Sequence, residues 1–200
     1  MATHLGLQYY GQVTFELERS EIRSRSANLR RSVWSNGSTL WRFQAKFLDT
    51  FGSTRAAAKL SAHMDMVGSE TSFDLEIPQK LGIILPDRNI NIRAGTYNAG
   101  ATSINISLPA NQTVELGTVF NIFGLNRMYQ AVSDVTSGIA GSPNVQLQIR
   151  PRLERTITIG AATPLNFDPT MRAYYDSASI HPFTSGSLYQ NFIDFIEDKP

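Results

Sequence analysis

Apolar and polar residues alternate along most of this 200-residue chain, the two-residue period of strands that bury one face. In Gln12–Leu17 the side chains Val13, Phe15 and Leu17 share a side, separated by Thr14 and Glu16. Val145, Leu147 and Ile149 repeat the pattern around Gln146 and Gln148, and Trp41, Phe43, Ala45 and Phe47 repeat it against Arg42, Gln44 and Lys46. Between residues 29–34 and 39–47 stands Ser35-Asn36-Gly37-Ser38. Asn-Gly accepts the positive φ angles of a type I′ turn, so the pattern predicts a hairpin closing at that point.

One stretch departs from the two-residue period. Ser53 to Met64 is rich in good helix formers, follows Gly52 and offers Ser53 or Thr54 as N-cap, which predicts a helix from about 54 to 66, closed near Gly68. Alternation resumes at Phe73, Leu75 and Ile77, and Pro78 and Pro86 bracket a connecting segment, with a boundary at about 86–90. From Ile90 to about Leu153 short strands follow at regular spacing, the pattern of a small barrel or sandwich. Residues 155–159 and 171–175 read as further strands, and 188–196 as a last strand or a short helix. Aromatic residues gather at both ends, from Tyr9 to Phe51 and from Tyr174 to Phe195, and thin out between them. The first and last segments are therefore expected to pack together with the middle inserted.

Composition narrows the classes. With 42% hydrophobic residues the chain can bury a core, and it has no unbroken run of about 18 apolar residues for a membrane span. Its 18% charged residues, net charge +1, lie below the roughly 25% usual for soluble domains. Ser, Thr, Asn and Gln fill the gap, giving a surface suited to protein contacts more than to capture of a polyanion. The absence of cysteine removes disulfides, thiolate metal sites and thiol nucleophiles. Met1 to Leu7 has neither the basic nor the apolar stretch of a secretory signal, so synthesis in a cytoplasm is expected.

Little catalytic vocabulary is present. The three histidines stand far apart, at 4, 63 and 181, and His63 and Asp65, two apart on the predicted helix, diverge. The nucleophile-elbow, dinucleotide, P-loop and zinc-protease motifs do not occur. Asp49, Asp65, Asp74, Glu76 and Asp87 could converge by folding, but their spacing does not require it. The expectation is a protein that is not an enzyme and takes no cofactor or metal. One charge cluster stands out: Arg19, Arg23, Arg25, Arg30 and Arg31, interleaved with Ser20, Ser24 and Ser26 and accompanied by Glu18 and Glu21. Such a segment can hold phosphate backbones, or can serve as a loop facing solvent or making salt bridges between subunits.

The order of elements resembles a known family. A β-segment, a hairpin ending in Leu40-Trp41-Arg42-Phe43-Gln44-Ala45-Lys46-Phe47, an Ala-rich helix and a strand running into Ile77-Pro78 are similar to the first domain of the distal tail proteins of long-tailed phages. Ala99 to Ile106, Val114 to Ile122, Met128 to Val132 and Val145 to Leu153 resemble the same family's middle section. The resemblance implies a mainly β fold with one short helix. In it a discontinuous, sandwich-like ring domain (1–87 with 154–200) carries an inserted, small OB-like barrel (88–153). It also implies a homohexameric ring in the virion, joining the tail tube protein to a baseplate hub protein, with tape-measure or fibre proteins as further partners. Neither nucleic acid nor membrane is then an expected partner. In that setting Arg23, Arg25, Arg30 and Arg31 are the candidate subunit-interface residues. The alternative is a binding module whose barrel recognises carbohydrate or single-stranded nucleic acid, with Tyr97 and Phe123 as stacking platforms and Phe120 and Tyr129 in the core.

Overall fold

Strands form at nearly every place where the alternation occurs. The computed structural model describes residues 3–5, 7–8, 13–25, 31–45, 54–67, 71–79, 83–84, 90–122, 125, 127–138, 142–176 and 193–198. In chain order these carry β1 (Thr3–His4), β2 (Leu7–Gln8), β3 (Thr14–Arg25), β4 (Arg31–Ala45), α1 (Thr54–Val67) and β5 (Phe73–Glu76). The middle holds β6 (Asn91–Ile92), β7 (Gly95–Tyr97), β8 (Ser103–Leu108), β9 (Thr113–Val114), β10 (Val119–Ile122), β11 (Met128–Ala131), β12 (Val135–Thr136) and β13 (Ser142–Arg150). Then come β14 (Ile157–Ile159), β15 (Thr163–Asn166), β16 (Thr170–Tyr175) and β17 (Ile193–Glu197). Among the described residues the chain is mainly β with one short helix.

Both ends of the chain contribute to one five-stranded sheet, in the order β3-β4-β17-β16-β5. Every pair in it is antiparallel. Phe43, Leu75, Met171, Ala173, Tyr175 and Phe195 are fully buried on one face, and Phe15 and Leu17 pack partly buried beside them. α1 lies on this face through Leu60 and Met64, one helical turn apart. The expected sandwich-like partner is supplied differently: the other cover on the same face is the barrel, which adds Val119 and Met128 to this core.

The middle of the chain forms a closed barrel, β10-β11-β13-β8-β6-β15, filled by a second core that includes Ile92, Ile106, Phe120, Tyr129 and Leu147. All four residues of β10 and all four of β11 are buried. Phe120, Ile122, Tyr129 and Ala131 point into the barrel, whereas Val119 and Met128 point out of it into the sheet core. The wall between barrel and sheet therefore reads as a continuous buried run instead of an alternation.

Two details differ from the sequence expectation. β4 runs straight through Ser35-Asn36-Gly37-Ser38, and its hairpin partner is β3, not a strand beyond that tetrapeptide. The ladder shifts register between Arg19 opposite Thr39 and Glu21 opposite Ser35, so the Asn-Gly pair lies at an irregularity within the ladder and not at its turn. Second, the barrel is closed by Thr163–Asn166, which pairs with β10 and β6, and β14 pairs with β7; strands of the middle assembly thus continue past residue 153. Of the two alternatives for the terminal segment, the strand is the one found where it is described.

Candidate functional site

β3 and β4 are much longer than their neighbours. β4 pairs with β17 only from Arg42 to Ala45, so beyond Trp41 the described ladder consists of β3 and β4 alone. The residues from Arg19 to Arg25 carry this two-stranded arm about 20 Å past the sheet at the usual rise per residue. Ile22 stands opposite Trp34, Arg23 opposite Val33, Ser24 opposite Ser32 and Arg25 opposite Arg31. The sequence-predicted residues Arg23, Arg25 and Arg31 therefore come together at the outer end of the arm. Arg30 lies outside the described residues.

The base of the arm is anchored by a group absent from the candidates read in the sequence. Arg127, at the start of β11, is 4% exposed. Its Nη2 donates to the backbone oxygen of Thr39 at 2.6 Å and to Thr39 Oγ1 at 3.1 Å. Its Nε lies 3.2 Å from Oε1 of Glu197, itself 2% exposed, and Nη1 forms an ion pair with Glu154. Glu197 Oε2 accepts the Trp41 backbone N–H at 3.0 Å, and Trp41 Nε1 donates to the Met128 oxygen at 2.8 Å. Two more side chains hold barrel to sheet. The Gln79 amide donates to the Val119 and Phe167 oxygens and accepts from Val119 N–H. Asn121 bridges the Arg127 oxygen and both backbone groups of Thr170. The arm thus springs from a corner where Arg127, Glu197 and Trp41 join barrel and sheet, and its ladder continues past the other strands of the sheet.

The face of the sheet turned away from α1 and the barrel is polar and unevenly charged. Glu16 and Glu18 of β3 and Asp74 and Glu76 of β5 are exposed there, and Asp194 shares the face on β17, where its Oδ1 accepts from Gln44 at 2.8 Å. Asp176 and Asp198 continue the same alternation and pair with the face's two guanidinium groups, Arg42 and Arg172. Among the described residues acids outnumber bases on this face, although the whole chain carries only +1.

His63 is partly covered. Its Nδ1 is 2.8 Å from the Tyr175 hydroxyl, and its ring meets Phe73 and Tyr175 edge-on at 5.3 and 5.7 Å. Burial lowers the His63 pKa below 6.5 and raises that of Tyr175. The folded state therefore favours neutral imidazole, while the unfolded chain takes up a proton at the ordinary value. This group's contribution to stability is full above pH 6.5 and is lost as pH falls through the lowered value. Substituting His63→Gln, which removes the titration, is expected to flatten the fall in urea midpoint between about pH 7 and pH 5; an unaltered slope would contradict this origin. Asp65 on the same helix is exposed and His63 is committed to Tyr175. Among the described residues no group of three His, Asp or Glu is placed to hold a metal, and no helix is long and apolar enough to cross a membrane.

Of the alternative platforms, Tyr97 is 9% exposed and its hydroxyl donates to the oxygens of Arg93 and Asn105. It is a core tyrosine with a satisfied hydroxyl, which corrects its reading as an exposed stacking surface; the buried position of its ring follows from β7 pairing with β14. Phe123 lies outside the described residues. Phe120 and Tyr129 are buried as expected, and burial pushes the Tyr129 pKa up to about 12. In comparisons with known proteins no family model and no curated protein matches the chain.

Proposed function

We propose that this chain is a structural subunit that works by assembly: the distal tail, or baseplate-hub, adaptor of a long-tailed phage, built as a ring between tail tube and tail tip. The observation that supports it is the arm. A two-stranded ribbon standing alone is marginal in water, yet this one leaves the sheet from a corner fixed by Arg127, Glu197 and Trp41. A firmly rooted ribbon with an arginine tip is suited to reaching a neighbouring subunit. In this reading the barrel is the OB-like appendage on the outside of the ring, and the sheet is the ring-forming part, with a tail tube protein and a hub protein as its axial partners.

The test is the solution mass of the purified chain by light scattering over a concentration series. A closed species near six times 22.2 kDa is the expected result. A monomer at every concentration, together with no incorporation into tail structures, would overturn the proposal.

A further inference from the structure

We propose that the outer face of the five-stranded sheet, the one turned away from α1 and the barrel, docks a lysine- or arginine-bearing surface of another protein over an apolar centre formed by Tyr174 and Ile196. Alternation on β16 and β17 turns Met171, Ala173, Tyr175, Ile193 and Phe195 into the core, so Tyr174 and Ile196 stand on the opposite side. They face one another across the ladder, and Ile196 is in turn opposite Arg42, which is opposite Glu16. One row across four strands therefore reads Tyr174, Ile196, Arg42, Glu16. Leu40 lies on the same face of β4, opposite Glu18. Tyr174, Ile196 and Leu40 are half-buried and belong to neither core, so their apolar surface is left on the water side of the sheet.

The surroundings select the chemistry of the partner. The two described guanidinium groups of the face are engaged within the chain, Arg42 with Asp176 across β17, and Arg172 with Asp198 and Ser72. Glu16 and Glu18 at one edge of the sheet and Asp74 at the other are exposed and enter none of the described ion pairs. The apolar centre is thus bordered by carboxylates on two sides, the arrangement of an interface core within a polar rim. A partner that brings an apolar side chain onto Tyr174 and Ile196, with cations toward both margins, satisfies both parts. Tyrosine at the centre of such a contact carries a large share of its energy. The same charge turns away a nucleic-acid backbone, and two copies of this face set against one another would oppose acid to acid. The contact is separate from the ring and holds for a lone subunit as for an assembled one.

The experiment uses the full chain and a short fluorescent peptide of lysines around a central leucine. One counterpart peptide carries serine for the leucine and another carries glutamates for the lysines. Binding is read by fluorescence anisotropy at low salt, and the site by carbodiimide coupling of the peptide amines to carboxylates, mapped by mass spectrometry. The lysine-leucine peptide is expected to bind and to couple at Glu16, Glu18 or Asp74; the serine counterpart should bind more weakly and the glutamate one not at all. Tyr174→Thr combined with Ile196→Thr keeps strand-forming residues at both positions and is expected to lower the affinity about tenfold with the urea midpoint unchanged. Glu16→Gln, Glu18→Gln and Asp74→Asn together are expected to lower it about threefold and to reduce its dependence on salt. This second variant leaves the apolar centre intact and decides the matter if the first misfolds. Coupling at carboxylates elsewhere, equal binding of the leucine and serine peptides, or wild-type affinity in both variants overturns the proposal. Self-association of the wild type that the threonine pair abolishes would make the occupant a second copy and overturns it as well.

Discussion

Replacing Arg127 by Met is expected to destabilise the protein by about 3–5 kcal/mol, the cost of breaking a buried ion pair from one side. Glu197 is 2% exposed and would keep its charge with the guanidinium beside it removed. The Thr39 oxygen would lose its donor as well. Because Glu154 is 35% exposed at its side chain, its share of the loss is small; water replaces the guanidinium there. The measurement is urea denaturation of the variant at neutral pH, read from the midpoint with the slope held. Replacing Glu197 by Ala should cost a similar amount and strand Arg127 instead. A loss below about 1 kcal/mol for both variants would mean that the pair is solvated, like a surface salt bridge.

Trp41→Ala is the second large effect, at about 3–5 kcal/mol for emptying a buried aromatic site. The side chain is 1% exposed and stands edge-on to Phe15 with ring centres 6.3 Å apart. Trp41→Phe separates two contributions. It retains most of the ring volume but removes the Nε1–H that satisfies the Met128 oxygen at 2.8 Å, a loss of about 1–3 kcal/mol for an unsatisfied buried acceptor. Loss in Trp41→Phe as large as in Trp41→Ala would place the whole effect in the hydrogen bond. The Arg127 and Trp41 substitutions should not add, because the Trp41 indole bonds the backbone oxygen of Met128, the residue next to Arg127.

How much of this was legible in the sequence depends on where the partner of each residue stands. Local signals served well: the helix expected over 54–66 spans Thr54–Val67, and the apolar sides of Trp41–Ala45 and Val145–Ile149 are the buried sides. The Asn36-Gly37 pair falls at a shift of register and not at a turn, because the long Arg31–Ala45 strand runs through it. Thr163–Asn166 gave no strand signal because Pro164 interrupts it and only four residues are involved. It is a strand because it closes the barrel. Arg127 and Glu197 were beyond reach for a plainer reason. They are 70 positions apart, and each taken alone looks like an ordinary surface charge. The arginine cluster was visible as composition, whereas the placing of Arg25 opposite Arg31 needed the register of the ladder.

The wall made by β10 and β11 has a consequence for how the protein can be taken apart. Since Val119 and Met128 belong to one core and Phe120 and Tyr129 to the other, the barrel is not a bead on a string that could be excised or transplanted intact. Cut loose, it would bare the side chains that α1 and the five-stranded sheet now shield, and the sheet would lose part of its own lining. Any exchange of the middle segment among related chains must therefore carry the outward-facing residues of those two strands along with it, as a fitted pair with Gln79 and Glu197.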